Sequence, residues 1–338
     1  MYLHYYDQLN KEQQKAYYAI KEGLLNLQDS FVVPMLSQKE LSDIYFLIRM
    51  DSPEIFYSVT FSYKCYANST AVEMVPQYLF SKDKIREHRQ AMESRVKKLA
   101  RQAASLDEKG KELFIHDFIV ENVKYDKLKK PYSHEIIGAL GNGVAVCEGI
   151  AKAVKILCDE LNIWCIIALS EANPEKGIKY RHAWNVIRIN GQYYHLDVTF
   201  DNTLSRGGTV RYDYVNLSDK QIFRDHEAVI WKIPACSDND HFYYKEKKIS
   251  WTTMDEVRNR TKQAVKKGKV LLFHWRGGYL TKEILTQLME IFDQEAGAKE
   301  KTAYVSVNWP QAVLRVRFEY GIGEEQLEME EANEGEKN

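Results

Sequence analysis

Cys147, His182 and Asp197 are the residues of this 338-residue chain whose types could together carry out nucleophilic catalysis. In such a set a thiolate attacks an acyl carbon, an imidazole moves the proton, and a carboxylate orients the imidazole and stabilises its charged form. Cys147 follows a glycine-containing loop, Gly141–Gly143, and precedes a helical pattern. Its thiol is therefore expected at the positive end of a helix, where the thiolate is favoured and backbone N–H groups can stabilise an oxyanion.

A β-hairpin is predicted around Asn190-Gly191, a dipeptide typical of two-residue type I′ turns. The register places three pairs of residues opposite each other: Ile189 with Gln192, Trp184 with Asp197, and His182 with Thr199. Five side chains then share one face of the sheet: His182, Trp184, His195, Asp197 and Thr199. His182 and Asp197 become diagonal neighbours, within reach of a hydrogen bond between their side chains.

Three motifs around these residues resemble, in the same order, the core of the transglutaminase-like superfamily: Val146–Ala153, His182–Asn185 and Tyr194–Asp201. The resemblance covers roughly residues 108–230. It implies a papain-like α+β core, in which a helix bearing the cysteine packs on an antiparallel sheet bearing the histidine and the aspartate. It also implies that Cys147 is the nucleophile, His182 the general base and acid, and Asp197 the orienting residue. The superfamily includes transglutaminases, peptidases, peptide N-glycanases and members without known activity.

Four further residues are candidates for the substrate cleft: Asn142, His134, Trp184 and His195. Papain-like enzymes often place a glutamine a few residues before the cysteine as an oxyanion donor, and the stretch Leu140–Gly143 contains none. Asn142, Trp184 or the backbone alone could supply that hydrogen bond.

Other interpretations of the same residues stay open. Asp197 could cap a turn, with Asp201 as the orienting residue instead. His195 could join Cys147, His182 and Asp197 in a metal site, because these are zinc-ligand types. The set lacks close-spaced ligand pairs, so we predict that the protein binds no metal and uses no cofactor.

The chain is long enough for more than one domain. We predict four regions: an N-terminal α+β accessory region (1–105), the transglutaminase-like catalytic core (106–238), a small C-terminal α/β domain (239–322), and a disordered acidic tail (323–338). Capping sequences predict helix starts in the first and third regions, at Asn10–Gln13, Ser37–Glu40 and Thr253–Glu256. The tail is rich in glutamate and poor in apolar residues.

The composition excludes several classes of partner. Lys and Arg number 47 and Asp and Glu 48, so the formal net charge is -1 and gives no electrostatic footprint for nucleic acid or an anionic membrane. The five cysteines include no Cys-x-x-Cys pair, and the N-terminal residues do not resemble a signal peptide. We therefore expect a cytoplasmic protein with reduced thiols, whose partner is a protein or peptide substrate.

The predicted function is that of a cysteine enzyme which forms a thioester with a peptide or amide substrate and then hydrolyses it. One alternative is amine transfer, in which a protein lysine or a polyamine replaces water at the thioester. Both reactions use the same three residues and differ in the access of water and amine to the site. The other alternative is a non-catalytic scaffold that keeps the fold for protein binding.

Overall fold

The computed structural model describes residues 2–67, 69–205 and 208–320. The chain forms two compact units, one comprising Met1–Asn239 and the other beginning at Asp240. A division of the first unit near residue 105 stays a prediction, and the predicted acidic tail, 323–338, lies outside the described residues.

The first unit combines α-helices with three small sheets. Its helices are α1 (Lys11–Leu25), α2 (Gln38–Asp51), α3 (Lys82–Ala103), α4 (Glu108–Asn122), α5 (Cys147–Glu160), α6 (Val198–Leu204) and α7 (Asp219–Ile222). Its strands are β1 (Phe31–Pro34), β2 (Ser58–Cys65), β3 (Ala71–Tyr78), β4 (Lys124–Tyr125), β5 (Val144–Ala145), β6 (Cys165–Ser170), β7 (His182–Ile189), β8 (Gln192–Leu196) and β9 (Val215–Leu217). A π-helix, Ile137–Asn142, precedes β5.

Side-chain caps begin the two N-terminal helices where the sequence predicted them. Asn10 accepts a hydrogen bond from the Gln13 N–H, and Ser37 accepts one from the Glu40 N–H, each within a capping box. Strands β1, β3 and β2 follow as an antiparallel sheet in that order.

The central sheet has the order β6-β7-β8-β9, and its neighbouring strands are all antiparallel. Strand β6 is buried along its whole length, as expected of an apolar strand covered on both faces. Helix α5 packs against this sheet with a buried side that includes Ile150, Val154 and Leu157, and Asn185 of β7 donates to the Ala151 carbonyl oxygen at 3.0 Å. A helix that begins with a cysteine and packs on an antiparallel sheet is the predicted papain-like α+β core, and this fold class is confirmed.

Helix α2 shares an apolar core with this sheet. Leu47 and Met50 of α2 lie in one buried cluster with Ala151 of α5, Ile167 of β6 and Ala183 of β7. Full burial of one large apolar side chain stabilises the folded state by about 1.5–3 kcal/mol. The N-terminal segment is therefore packed directly on the helix and sheet that carry the predicted site.

The β7–β8 hairpin has the predicted register up to Leu196. Ile189 pairs with Gln192, and the turn residues Asn190 and Gly191 have φ of 50° and 84°, as a type I′ turn requires. The predicted pairing of His182 with Thr199 is wrong, because the chain enters α6 at Val198. The Asp197 side chain accepts the first N–H groups of that helix, and this competes with continuation of the strand.

The second unit combines helices with a four-stranded sheet, and the predicted domain boundary at residue 239 stays a prediction. Its elements are α8 (Tyr243–Glu246), β10 (Ser250–Trp251), α9 (Met254–Lys267), β11 (Leu271–Trp275), α10 (Lys282–Gly297), β12 (Lys301–Asn308) and β13 (Val313–Tyr320). The strand order is β10-β11-β13-β12, with one parallel pair, β10 and β11. Thr253 caps α9 as predicted. Trp251, Phe273 and Phe292 lie in its core.

Within residues 2–67, 69–205 and 208–320, no helix is both long and apolar enough to cross a bilayer.

The first turn of α5 approaches the preceding chain very closely. A Cβ atom on Gly149 would lie 2.2 Å from the carbonyl oxygen of Ser133, a backbone atom that cannot rotate away. The same oxygen accepts the Val146 N–H at 3.0 Å. Only glycine at position 149, the third residue of α5, allows this close approach.

We expect Gly149→Ala to lower the free energy of unfolding by up to about 2 kcal/mol. Overpacking costs about 1–3 kcal/mol, and the better helix propensity of alanine offsets only about 1 kcal/mol of that. Gly141→Ala is the matched control, because a Cβ atom there makes ordinary contacts of 3.4 Å with Ile137 and Met92. Thermal unfolding compares the two variants, and equal midpoints would contradict the close approach.

Candidate active site

Cys147 is the first residue of α5, and its helix start is open. Val146 at the N-cap makes no side-chain hydrogen bond to the first turn. The other six described helices of 14 residues or more all have a side-chain cap, from Asn10, Ser37, Ser81, Asp107, Thr253 and Thr281. Uncapped N–H groups and the helix dipole favour an anion at this point. The Cys147 side chain is half-buried and so remains accessible.

His182 lies between Cys147 and Asp197. Its Nε2 atom is 2.6 Å from Asp197 Oδ2, and its side chain lines the same cavity as Cys147. Because Nε2 is bound to Asp197, Nδ1 is the ring nitrogen that remains for the thiol. The structure thus brings together the three residues that the sequence singled out, from the start of α5, the start of β7 and the end of β8.

The carboxylate of Asp197 makes two kinds of hydrogen bond. Oδ1 accepts the N–H groups of Thr199 and Phe200, at 2.8 and 3.0 Å, and so caps α6. Oδ2 faces His182. The capping and orienting interpretations of Asp197 therefore both apply, each to a different oxygen.

Asp201, the alternative orienting residue, lies elsewhere. Its Oδ2 is 3.2 Å from His116 Nε2, and its Oδ1 accepts the Asp213 N–H at 2.8 Å. Asp201 is therefore engaged away from His182.

Electrostatic interactions favour an ionised pair of His182 and Asp197. Burial alone lowers the pKa of His182, but Asp197 and Cys147 raise it to about 10. Burial alone raises the pKa of Asp197, yet His182 and His226 hold it well below the usual range of a carboxyl group. At neutral pH His182 is a cation beside Cys147, and this is the partner that stabilises a thiolate.

His226 is a fourth member of this arrangement that the sequence analysis missed. Its Nε2 is 2.8 Å from Asp197 Oδ2, and its Nδ1 is 2.8 Å from Asp225 Oδ1. Its ring lies 5.2 Å from the His182 ring, centroid to centroid, at a steep angle of 62°. His226 follows α7 in irregular chain, so no periodic pattern marked it; the adjacent Asp225 was the only local signal.

Trp184 and His195, two predicted cleft residues, are both buried: Trp184 packs on His182, and His195 packs on Trp184. The Trp184 ring stacks on His182, with 5.7 Å between centroids and 16° between planes. Its indole N–H donates to His195 Nδ1 at 2.9 Å, and His195 Nε2 is 2.8 Å from Asp219. An indole nitrogen only donates, so Nδ1 of His195 accepts and Nε2 keeps its proton. Burial lowers the pKa of His195, and the neutral ring fixes Trp184 against His182.

A cavity of about 320 Å³ opens beside Cys147 and His182. Its other lining residues are Phe46, Tyr125, Lys129, His134, Val146, Glu148, Leu169, Tyr180, Arg181 and Ala183. Among the predicted cleft residues, His134 lies in this wall, whereas Asn142 is exposed at the end of the π-helix and outside this lining. Phe46 comes from α2, so the N-terminal region supplies part of the cleft.

Four charged residues hold the start of α5 in place: Arg49, Glu135, Glu148 and Lys152. Lys152 Nζ is 2.9 Å from Glu135 and 2.8 Å from Glu148, and Arg49 contacts both carboxylates. Burial alone raises the pKa of Glu148, but Lys152, His134 and Arg49 lower it far below its usual range. The network therefore stays charged and ties α2 to the residue after Cys147.

Two groups of side chains have potential metal-ligand atoms within 4.8 Å of one another: His182, Asp197 and His226, and His195, Asp219 and Cys236. In the first group, both histidine Nε2 atoms already contact Asp197 Oδ2. In the second, the Trp184 indole donates to Nδ1 of His195, so Nε2 of His195 carries the ring proton. A metal could bind Nε2 only by displacing that proton. His195 is also engaged away from Cys147, so the zinc set considered from the sequence is not assembled. The chemistry of both groups favours hydrogen bonding.

Comparison with solved structures finds partial similarities at low identity. One is the crystal structure of a TGase, with 11% identity over 42% of this chain and 44% of that chain and a TM-score of 0.27. Another is a "putative cysteine protease" from Cytophaga hutchinsonii, with 18% identity over 42% and 62% and a TM-score of 0.28. A third is a "putative protease" from Parabacteroides distasonis, with 13% identity over 42% and 40% and a TM-score of 0.25. The chain spans less than two thirds of the length of each.

Sequence comparison finds a family similarity in the central segment. No curated protein matches the chain significantly. The family model described as the transglutaminase-like superfamily matches residues 97–198. That segment contains Cys147, His182 and Asp197, together with α5 and the β7–β8 hairpin that carry them. Residues 97–198 are therefore similar to the transglutaminase-like superfamily.

Proposed function

We propose that the protein is a cysteine-dependent enzyme that hydrolyses an amide or peptide bond through a thioester on Cys147. The observation that carries the proposal is the position of His182, which is hydrogen-bonded to Asp197 through Nε2 and lines the same cavity as Cys147. The match of residues 97–198 to the transglutaminase-like superfamily supports the same class of chemistry. The proposed substrate is a protein or a peptide.

In the first step the Cys147 thiolate attacks the amide carbon, and the π electrons of the carbonyl group move to its oxygen. The N–H groups at the start of α5 stabilise the negative oxygen. The C=O bond then re-forms, the C–N bond breaks, and the leaving nitrogen takes the Nδ1 proton of His182. The products are a thioester on Cys147, a free amine and a neutral His182.

In the second step a water molecule gives a proton to His182 Nδ1 while its oxygen attacks the thioester carbon. Collapse of the intermediate breaks the C–S bond, releases the carboxylic acid and restores the thiolate beside a protonated His182. Asp197 keeps the imidazole oriented through both proton transfers. One water is consumed for each amide bond.

Access to solvent supports hydrolysis over amine transfer. Cys147 is half-buried and the His182 side chain is 18% exposed, and both line the cavity beside them. Water can therefore reach a thioester at this point. Amine transfer instead requires that water be excluded while an amine enters.

We expect iodoacetamide to alkylate Cys147 faster than a free thiol at pH 7, because His182 pairs with its thiolate. Cys65 is exposed, whereas Cys158, Cys165 and Cys236 are buried, so a Cys65→Ser background isolates the signal. His182→Ala should slow the reaction by ~10-fold or more, because the neighbouring cation is lost. Mass spectrometry locates the label. A Cys147 that reacts no faster than free cysteine would remove the basis for a nucleophile here.

A peptide screen with and without a labelled primary amine tests the reaction type. We expect Cys147-dependent cleavage without incorporation of the amine, because water reaches the cavity. Cys147→Ala should abolish the reaction. Incorporation of the amine in preference to cleavage would assign amine transfer instead, and an unreactive Cys147 without turnover would favour the scaffold alternative.

Turnover is expected to fall as pH rises through about 10, where His182 loses the proton that the leaving amine takes. Because the pKa of His182 is raised, the imidazole is fully protonated below its ordinary pKa of 6.5 and loses its proton above about 10. Burial lowers this pKa, and Asp197 is the largest influence that raises it. Asp197→Asn should therefore move the loss to lower pH and reduce turnover roughly 10³- to 10⁴-fold.

The measurement is kcat/KM of both proteins between pH 6.5 and 10.5, with circular dichroism to follow folding. Asparagine keeps Oδ1 as an acceptor for the cap of α6, so the fold should persist. If kcat/KM of Asp197→Asn declined at the same high pH as that of the wild type, the orienting role would be contradicted.

A further inference from the structure

His226 lies outside the proposed set of Cys147, His182 and Asp197, yet both of its ring nitrogens face carboxylates. Nε2 is 2.8 Å from Asp197 Oδ2, and Nδ1 is 2.8 Å from Asp225 Oδ1. The side chain is only 1% exposed. Water therefore has little access to either nitrogen, and the two carboxylates determine the charge of the ring.

The two carboxylates favour the cationic form of His226. A neutral imidazole has one N–H and one bare nitrogen, so it can donate to only one of the two carboxylates. Asp197 accepts backbone N–H groups on its other oxygen, and Asp225 accepts the Tyr214 hydroxyl on its other oxygen. Both groups thus accept on both oxygens, as ionised carboxylates do. Burial alone lowers the pKa of His226, but the hydrogen bonds to Asp197 and Asp225 raise it above its ordinary value.

The charged and titratable groups around His226 come from several elements. They are Asp225 on its own segment, Asp197 at the end of β8, His182 on β7, His195 on β8, and Tyr214 before β9 through Asp225. The charge of His182 opposes that of His226, and the charge of His226 contributes to the lowered pKa of His195 after the effect of burial. The two carboxylates in direct contact outweigh these repulsions.

We propose that His226 is a positioning residue which shares Oδ2 of Asp197 with His182 as a second cation and weakens the hold of that carboxylate on the His182 proton. This inference rests on the proposed function, because it concerns proton transfer from His182 to the leaving amine. The two imidazole rings lie 5.2 Å apart and meet at one oxygen atom. Like charges at this distance repel, so the proton leaves His182 more readily than it would beside Asp197 alone.

The chemistry explains why a second cation is useful. A general acid is most effective when its pKa is close to the working pH, and an imidazolium bound to one unshared buried carboxylate holds its proton too tightly. His226 reduces that hold and, through Asp225, keeps the Asp197 side chain from turning. Asp197 thereby orients His182 without trapping its proton.

The charge of His226 can be measured by ¹⁵N NMR of the histidine ring nitrogens in the full-length protein. His226→Gln assigns its signals, and we expect both nitrogens of His226 to carry protons at pH 7.5. Asp225→Asn should move the loss of the His226 proton to lower pH, because one of its two carboxylate partners is removed. His88→Gln on α3 is the matched control and should leave the His182 and His226 signals unchanged. A neutral His226 at pH 7.5 overturns the proposal.

The pH dependence of amide turnover tests the role. Wild-type turnover at pH 10 should be about half its plateau value, because the pKa of His182 is about 10. In His226→Gln, the glutamine can still donate to Asp197 but has no charge, so turnover should keep its own plateau value at pH 10. That plateau should be about tenfold lower than in the wild type.

If His226 had only a structural role, His226→Gln would lower the plateau of turnover without changing the pH at which turnover declines. That result overturns the proposal. If His226→Gln unfolds, Asp225→Asn provides the same comparison. Its turnover should also decline at a higher pH than that of the wild type. Slow alkylation of wild-type Cys147 would overturn the proposed function, and with it the role of His226 in proton transfer. The NMR signals would still show whether the charge assignment is right.

Discussion

The hydrogen bonds of Asp197 are the interaction on which the candidate site depends. One buried carboxylate ends β8, begins α6 and binds His182. Because Oδ1 is held by the N–H groups of Thr199 and Phe200, the carboxylate cannot turn, and Oδ2 points in one direction. A helix cap thus gives the histidine a fixed partner. Local folding and the chemistry of the site use the same side chain.

The start of α5 is held in a different way. Its N-cap residue, Val146, provides no side-chain cap, which leaves backbone N–H groups for an anion beside Cys147. The position of the helix instead depends on Gly149, which allows close packing, and on the ionic contacts of Glu148 and Lys152. Buried ion pairs add little net stability, because desolvation offsets much of their attraction. Their directional contacts nevertheless hold the nucleophile-bearing turn in one place.

The N-terminal helices take part in the same arrangement. Arg49 of α2 reaches Glu148, and Phe46 of the same helix lines the cavity. The neutral His195 accepts a hydrogen bond from Trp184, and the Trp184 ring stacks on the His182 imidazole. The His182 ring is therefore restrained by a carboxylate at its edge and an indole on its face, and both partners are themselves hydrogen-bonded. Such support limits the ring to the orientation that faces Cys147.

The sequence by itself predicted the start of α5, the β7–β8 hairpin and the three central residues. The helix start at Cys147 and the hairpin register at Asn190-Gly191 follow from capping, turn and periodicity rules, which depend on neighbouring residues alone. The register placed His182 and Asp197 on one face, and the family motifs assigned their expected roles. The same rules extended β8 too far, because the cap at Asp197 competes with strand pairing.

Only the tertiary structure decided the surroundings of these residues. His226 reaches Asp197 across 29 positions of the sequence, and Arg49 reaches Glu148 across 99. Such contacts depend on the paths of irregular segments and on the packing of separate elements, and neither leaves a periodic pattern in the chain. The charge of His226 likewise arises only when folding encloses it between two carboxylates, because burial and hydrogen bonding set the charge of an imidazole.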